Sequence, residues 1–396
     1  MIQLSERILS MEESATLAMS RKSRELKAQG KDIISLSLGE PDFNTPEFIK
    51  KAAVEALEQN YTTYTPVPGY DDLRDAIANK FNRDNHIPYT RENIVVSTGA
   101  KQSIANLIMA TINPGDEVII PAPYWVSYAE IVKVAGGIPV VIPTSIESDF
   151  KFTPEQFRNS IKAKSKMMMF SSPCNPTGTV YTKEELRALA DVLKENPSIL
   201  VMSDEIYEHI NFVGHHFSMA QFDDVRDQII TVNGVSKAWA MTGWRVGYIG
   251  APKVIADACN KMQGQFTSAT CSIAQRATIA AVNADPAILN DMVAAFESRR
   301  ELVLNALNQM PGVKCNRPGG AFYVFPDISS FFGKSFEGKT IQTAEELCMY
   351  LLDKGVALVS GEAFGDANCM RISYAASEET LTEAMKRVAT ALAQLK

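Results

Sequence analysis

The amino-acid sequence predicts an α/β fold: a large domain on a mostly parallel seven-stranded sheet flanked by helices, with a smaller α+β domain beside it. Three observations support this. Residues 93–250 alternate short apolar runs with helix-period stretches, the pattern of strands covered on both faces. From residue 286 the texture changes to long helical runs separated by short strands. The chain has 396 residues, 46% apolar and 21% charged, enough for two or three domains with sizeable cores. The expected division is an N-terminal arm with part of the small domain over 1–45, a large domain over 46–285 and a small domain over 286–396.

Taken in order, Asp32–Leu38 alternates polar and apolar residues like a half-buried strand. Thr45 and Pro46 offer an N-cap and a first-turn proline for a helix to about Asn60, and a second helix fits 71–85. Strand-like runs follow at Ile94–Ser97, Glu117–Ile120, Pro139–Ile142, Lys166–Ser171, Ile199–Ser203, Ile229–Val232 and Val246–Gly250. Two of the helices between them open with capping boxes, Thr153-x-x-Gln156 and Thr182-x-x-Glu185. Beyond these, a helical pattern runs from about 286 to Met310, strands fit Ala321–Phe325, Ala357–Val359 and Met370–Ser373, and helices fit 343–354 and 377–395.

Composition removes several function classes. Lys and Arg total 39 against 46 Asp and Glu, a formal charge of −7, and no basic run exceeds two residues. A nucleic-acid partner, which requires clustered cations against phosphates, is not expected. No apolar stretch approaches the roughly 18 residues that span a bilayer. Glu6, Arg7, Glu12 and Glu13 interrupt any signal-peptide core, so the expectation is a cytoplasmic protein without membrane contact. The six cysteines, Cys174, Cys259, Cys271, Cys315, Cys348 and Cys369, form no C-x-x-C pair and lie in apolar stretches. Buried thiols in a reducing compartment are expected, with neither disulfides nor a metal site.

Gly333-Lys-Ser-Phe-Glu-Gly338-Lys339-Thr340 fits the pattern of a phosphate-cradling P-loop. Its context disagrees: it does not follow its strand directly, and Glu337 would set a carboxylate beside the phosphates. The expectation is a polar surface loop before the helix at 343, with an NTPase kept as a distant alternative.

Three other sites follow apolar strands. Lys237 lies just past Ile229–Val232, where α/β sheets place ligands and a desolvated amine becomes a nucleophile. Asp204 ends its strand, with Tyr207 three residues on. Asn175, in Ser172-Pro173-Cys174-Asn175-Pro176-Thr177-Gly178, follows the strand before that. Alone, the lysine reads as a solvated loop residue, the acid as a helix cap and the amide as part of a turn. Together they point to one site.

Asn175-Pro176-Thr177-Gly178, Ser203-Asp204-Glu205-Ile206-Tyr207 and Ser236-Lys237 with Gly243-Trp244-Arg245 resemble the class I aminotransferases, fold-type I enzymes of pyridoxal 5'-phosphate. The likeness runs from about Ser14 to the C-terminus. Within that family, Ala100-Lys101-Gln102 and Pro123-Tyr124-Trp125-Val126-Ser127-Tyr128 resemble the bacterial aspartate aminotransferase branch. The resemblance implies that Lys237 links covalently to the cofactor and later moves the substrate proton. It implies that Asp204 pairs with the pyridine nitrogen, that Asn175 and Tyr207 bond the ring hydroxyl oxygen, and that Trp125 stacks on the ring. The phosphate is expected on the Gly99, Ala100 and Lys101 amides at a helix N-terminus, completed by Ser236 and Arg245. Tyr64 matches a tyrosine that reaches the phosphate of the neighbouring subunit.

For the substrate, Arg371 is expected to grip the α-carboxylate bidentately, with Gly39, Trp125 and Asn175 touching the substrate nearby. Two departures stand out. Gly234 replaces a serine of many relatives, removing a phosphate hydroxyl. Gln265–Thr270 lacks the arginine that binds the distal carboxylate in eukaryotic-type relatives, and Lys101 is its expected replacement. Glu12, in the N-terminal arm, is expected near the pocket, where it disfavours an extra anion. The implied activity is transfer of the amino group of L-aspartate to 2-oxoglutarate by a homodimer with shared active sites. An aromatic or prephenate aminotransferase, or a β-lyase, is the alternative within the family.

Overall fold

The computed structural model describes residues 2–396. Its centre is a seven-stranded sheet in the order Ile94–Ser97, Gly247–Gly250, Ile229–Gly234, Leu200–Asp204, Ser165–Ser171, Glu117–Pro121, Ile138–Ile142. All neighbours run parallel except Gly247–Gly250, which is antiparallel to both of its partners. Each strand expected of this sheet is present, with ends within two residues of those expected. Alternate residues face opposite ways along a strand. Val96, Met168, Phe170 and Val201 therefore join one apolar core, and Val95, Met167, Met169 and Met202 join the core on the other face. Helices cover both faces, so these strands read as apolar runs rather than as alternating ones.

The two capping boxes form as expected, Thr153 Oγ1 accepting from the Gln156 amide and Thr182 Oγ1 from the Glu185 amide. The helix 71–85 is present as Asp71–Asn85. Thr45 is not the cap expected of it. The helix runs Glu47–Glu58 with Pro46 at the cap position, and the Thr45 hydroxyl instead donates to the Ala240 carbonyl at 2.7 Å while accepting from Trp244 Nε1. Side-chain bonding to a distant segment won over local capping.

The C-terminal part holds an antiparallel three-stranded sheet, ordered Val359–Ser360, Met370–Ser373, Tyr323–Val324, with helices Asn290–Asn308, Ala344–Asp353 and Glu378–Ala393. The strand expected over 32–38 is regular only at Ile34–Ser35, which pairs in parallel with Val356–Ala357. Leu36 then bonds in two directions, its amide to the Ala357 carbonyl and its carbonyl to the Ser373 amide. That bridging role bends the segment off a single ladder. The P-loop pattern is a hairpin, Ser335–Phe336 against Lys339–Thr340, turning through Glu337 and Gly338 at positive φ. The next helix starts only at Ala344, capped by Thr343. A phosphate cradle needs its lysine and threonine to run straight into a helix, so the NTPase alternative is set aside.

Behind the Leu200–Asp204 strand end lies a buried polar cluster. Glu208 is held by Lys80 Nζ, by Asn85 Nδ2 at 2.7 Å and by Asn233 Nδ2 at 2.7 Å. Glu205 accepts from Ser203 and Ser218 hydroxyls at 2.9 and 2.7 Å and meets His216 Nε2 at 3.0 Å. Burial opposes ionisation of Glu208, yet Lys80, His209 and His216 hold its carboxyl well below its ordinary 4.5. A depressed carboxylate stabilises the fold above that ordinary value and loses its contribution as pH falls. Lys80→Met leaves this charge buried and unpaired, so urea unfolding should show a loss of about 3–5 kcal/mol. An unchanged unfolding midpoint would mean that the pair does not brace the strand end.

Candidate active site

Register explains why the site sits where it does. Ser171 pairs with Asp204, and Asp204 with Val232, so three adjacent parallel strands end within two residues of one another. The segments leaving them carry Asn175, Asp204 and Lys237 to one sheet edge, the ligand edge of open α/β sheets. The Gly99 turn joins them there, because Ile94–Ser97 ends beside Gly247 and Arg245 lies two residues before that strand begins.

Here lies a cavity of about 240 Å³. Of the residues expected at the site, Gly39, Ala100, Lys101, Trp125, Asn175, Asp204, Tyr207, Ser236, Lys237, Arg245 and Arg371 line it. Gly99 stands directly behind, at φ 84°, against the Arg245 guanidinium, which a Cβ would strike. Two residues named from sequence lie elsewhere. Tyr64 is fully exposed on a loop that lines a separate groove with residues 267–272. Glu12 is not on the cavity wall; its amide bonds Glu130 Oε2, and the arm reaches the cavity through Ser14, Thr16 and Leu17 instead.

Three charges are taken out of water around this cavity. Asp204, only 6% exposed, has its pKa raised to about 6 by burial, against the hydrogen bond from the Tyr128 hydroxyl at 2.7 Å and one from the Ile206 amide. Its hydrogen-bond donors are neutral, so the carboxylate is solvated by dipoles and lacks a bonded cation. Lys237 has its pKa lowered to about 8, by burial first and then by the Arg371 charge, and its Nζ donates to the Gly39 carbonyl at 2.6 Å. Burial likewise lowers the pKa of Arg371. Its Nη1 donates to Asn175 Oδ1 at 2.9 Å and its Nη2 to the Ser37 carbonyl at 2.5 Å, while Nε is buried without a partner.

Lys101 is open to solvent at the rim, with Nζ 4.9 Å from the Trp125 ring centroid. The atoms crowded round its ammonium, and then Arg245, lower its pKa. An ammonium at the rim, over the Trp125 ring, can meet an anion entering from solvent.

Tyr128, Ser171 and Tyr323 also belong to the wall and were not singled out from sequence. For Tyr128 a signal existed: it closes the same run Pro123–Tyr128 that carries Trp125, and the two rings pack edge-on with centroids 5.6 Å apart. Tyr323 had none, since its position depends on a strand of another sheet.

The arrangement offers an amine of lowered proton affinity in one cavity with a buried acid, and two cations able to seat carboxylates. The amine should react accordingly. A base lowered to about 8 is mostly neutral above that pH, so trapping of Lys237 by a small aldehyde and borohydride should rise with a midpoint near 8. Arg371→Leu removes the neighbouring positive charge and should move that midpoint up. A midpoint near 10.5, the ordinary lysine value, would show that the amine is not desolvated.

The whole chain matches known proteins. A family model for class I and II aminotransferases matches residues 31–388. The chain is 46% identical over 401 residues to a bifunctional aspartate aminotransferase and glutamate/aspartate-prephenate aminotransferase of Petunia hybrida, covering 100% of this chain and 84% of that one. It is 45% identical to an aspartate/prephenate aminotransferase of Nitrosomonas europaea, covering 99% and 100%. Among solved structures, the aspartate aminotransferase of Rhizobium meliloti superposes with a TM-score of 0.96 at 41% identity, covering 100% of both chains. That of Thermus thermophilus with maleate gives 0.93 at 42%, covering 99% and 100%. With a lysine, an acid and an arginine gathered at the ligand edge of this sheet, the chain belongs to the class I and II aminotransferases, a family whose chemistry implies pyridoxal phosphate, and is an enzyme of that kind.

Proposed function

We propose that the enzyme transfers the amino group of L-aspartate to 2-oxoglutarate, giving oxaloacetate and L-glutamate, in a ping-pong cycle on pyridoxal 5'-phosphate. The observation that carries this reading is the presence of two cations, Arg371 and Lys101, besides the phosphate-side Arg245, on the wall of the cavity that holds Lys237 and Asp204. Two cations suit a substrate with two carboxylates.

The residues fit the cofactor. Asp204 is a buried acid bonded only by neutral donors, so a protonated ring nitrogen supplies the charge it lacks. The helix Ala100–Thr111 opens beside Arg245 across the side-chain-free Gly99, and such a helix N-terminus with a guanidinium beside it suits a phosphate. The unpartnered Nε of Arg371 leaves donor capacity for a carboxylate.

When bound, pyridoxal phosphate supplies an electron sink for the carbanion formed at the substrate Cα. In this reading Asp204 keeps a proton on the ring nitrogen, while Asn175 and Tyr207 bond the ring hydroxyl oxygen. Ser236, Arg245 and the Gly99–Lys101 amides hold the phosphate. Lys237, with proton affinity near working pH, takes the Cα proton as general base and returns it as acid, and the Gly39 carbonyl orients its amine. Trp125 and the arm residues Thr16 and Leu17 exclude water. Arg371 grips the α-carboxylate and Lys101 the distal one.

Full exposure of Tyr64 supports its service in a second copy's site, in a homodimer. Residues 46–285 are read as the cofactor lobe, and 286–396 with part of 1–45 as a lobe that closes on it. The six free cysteines agree with a cytoplasmic setting.

Prephenate as amino acceptor is the second reading, favoured by the names of the Petunia and Nitrosomonas relatives. Prephenate also carries two carboxylates, so the same cations serve it.

A substrate panel decides. The purified protein should be yellow, and Lys237→Ala should abolish the visible band. Aspartate should bleach that band and 2-oxoglutarate restore it; restoration by prephenate alone overturns the acceptor assignment. Lys101→Ala should lower kcat/KM for aspartate roughly 10- to 100-fold, the scale of a hydrogen bond to a charged group, and leave alanine almost unaffected. Equal losses for both would remove Lys101 from the substrate site.

A further inference from the structure

Tyr323 is fully buried at the end of the short strand Tyr323–Val324, whose neighbour is the strand carrying Arg371. It touches three parts of the site at once. Its hydroxyl lies 2.8 Å from the Tyr207 hydroxyl. Its ring faces the Arg371 guanidinium, whose carbon is 4.6 Å from the ring centroid. Its hydroxyl also packs on Gly39, so closely that a Cβ there would overlap it, and Gly39 is the residue whose carbonyl holds Lys237.

A tyrosine hydroxyl has one proton to give and lone pairs to receive. If Tyr207 gives its proton to the ring oxygen, its own oxygen is left to accept, and Tyr323 is the donor in reach. Hydrogen bonds in such a chain strengthen one another. The strength of the first donor depends on the charge over its ring: Arg371 eases ionisation of the Tyr323 phenol against the burial that opposes it. A carboxylate seated on Arg371 takes up that positive charge and weakens the Tyr323 donor.

We propose that Tyr323 is a positioning residue that carries the occupancy of Arg371 to the Tyr207 hydroxyl, and through it to the cofactor's ring oxygen. The proposal rests on the cofactor reading given above. Its consequence is a division of labour: Arg371 reaches the ring oxygen directly through Asn175, and a second share of that coupling runs through Tyr323 and Tyr207.

The experiment is a pH titration of the visible band in the holoenzyme, alone and with saturating succinate, a dicarboxylate with no amino group to transfer. A donor on the ring oxygen favours the deprotonated chromophore. Tyr323→Phe, which keeps the ring under Arg371, should therefore move the midpoint to higher pH, and Tyr207→Phe should do the same. The further upward shift caused by succinate should fall to half or less of that in the unmutated enzyme. In a Tyr207→Phe background, Tyr323→Phe should move the midpoint no further. The kcat for aspartate should fall about tenfold with KM changed by less than about threefold. Tyr323→Leu, which removes the ring, should weaken succinate binding as well.

A Tyr323→Phe enzyme with the original midpoint and the full succinate shift overturns the proposal. So does a shift that adds in full to that of Tyr207→Phe, or a loss of succinate affinity equal to that of Tyr323→Leu, which would leave Tyr323 as a platform only. An unmutated protein that shows no visible band with pyridoxal phosphate fails the cofactor reading itself, a result separable from all of these.

Discussion

A carboxylate held away from water at the end of a central strand is the constraint on which the rest of this structure turns. Desolvation raises the proton affinity of Asp204, and Tyr128 and the Ile206 amide only partly offset it. A buried acid of this kind is costly unless a cation completes it. The surroundings keep it in place regardless. The segment after it alternates sides, with Tyr207 facing the cavity and Glu205 and Glu208 anchored in the polar cluster behind. The charged network that braces the strand end and the charges that line the cavity thus share one short stretch of chain.

The same trade recurs in Lys237 and Arg371. Each loses hydration, and each is met by carbonyl or amide oxygens, Gly39 for one and Ser37 with Asn175 for the other. Dipoles hold these cations without neutralising them. Direct salt bridges would have satisfied them and closed the site to an incoming anion.

Much of this was legible in the sequence, for identifiable reasons. Strands buried on both faces leave uninterrupted apolar runs, so the seven-stranded sheet could be read directly, and with it the shared edge where Asn175, Asp204 and Lys237 emerge. Capping boxes are local hydrogen-bond patterns and came out as expected at Thr153 and Thr182. What local pattern could not supply was long-range competition. Thr45 looked like a cap until Ala240 and Trp244 claimed its hydroxyl. The run 32–38 alternates like a strand, yet Leu36 divides its bonds between two separate sheets. Tyr323 is one aromatic residue in an apolar strand, and nothing nearby in sequence marks it as the neighbour of Tyr207 and Arg371. The arm's Ser14, Thr16 and Leu17 were missed for the same reason, while Glu12, chosen for its charge, turned to Glu130.

The bonds of Arg371 also bear on the order in which the chain is made. Its guanidinium meets the Ser37 carbonyl across 334 residues and the Asn175 side chain across 196. Contacts so distant in sequence form late, and a chain emerging from the ribosome folds its earlier parts first. The central sheet is finished once the strand ending at Gly250 has been added. Until Met370–Ser373 follows, Ser37 and Asn175 have no guanidinium to receive. A nascent or truncated chain can therefore own a nearly complete sheet, with its lysine and buried acid in position, and still lack its carboxylate clamp.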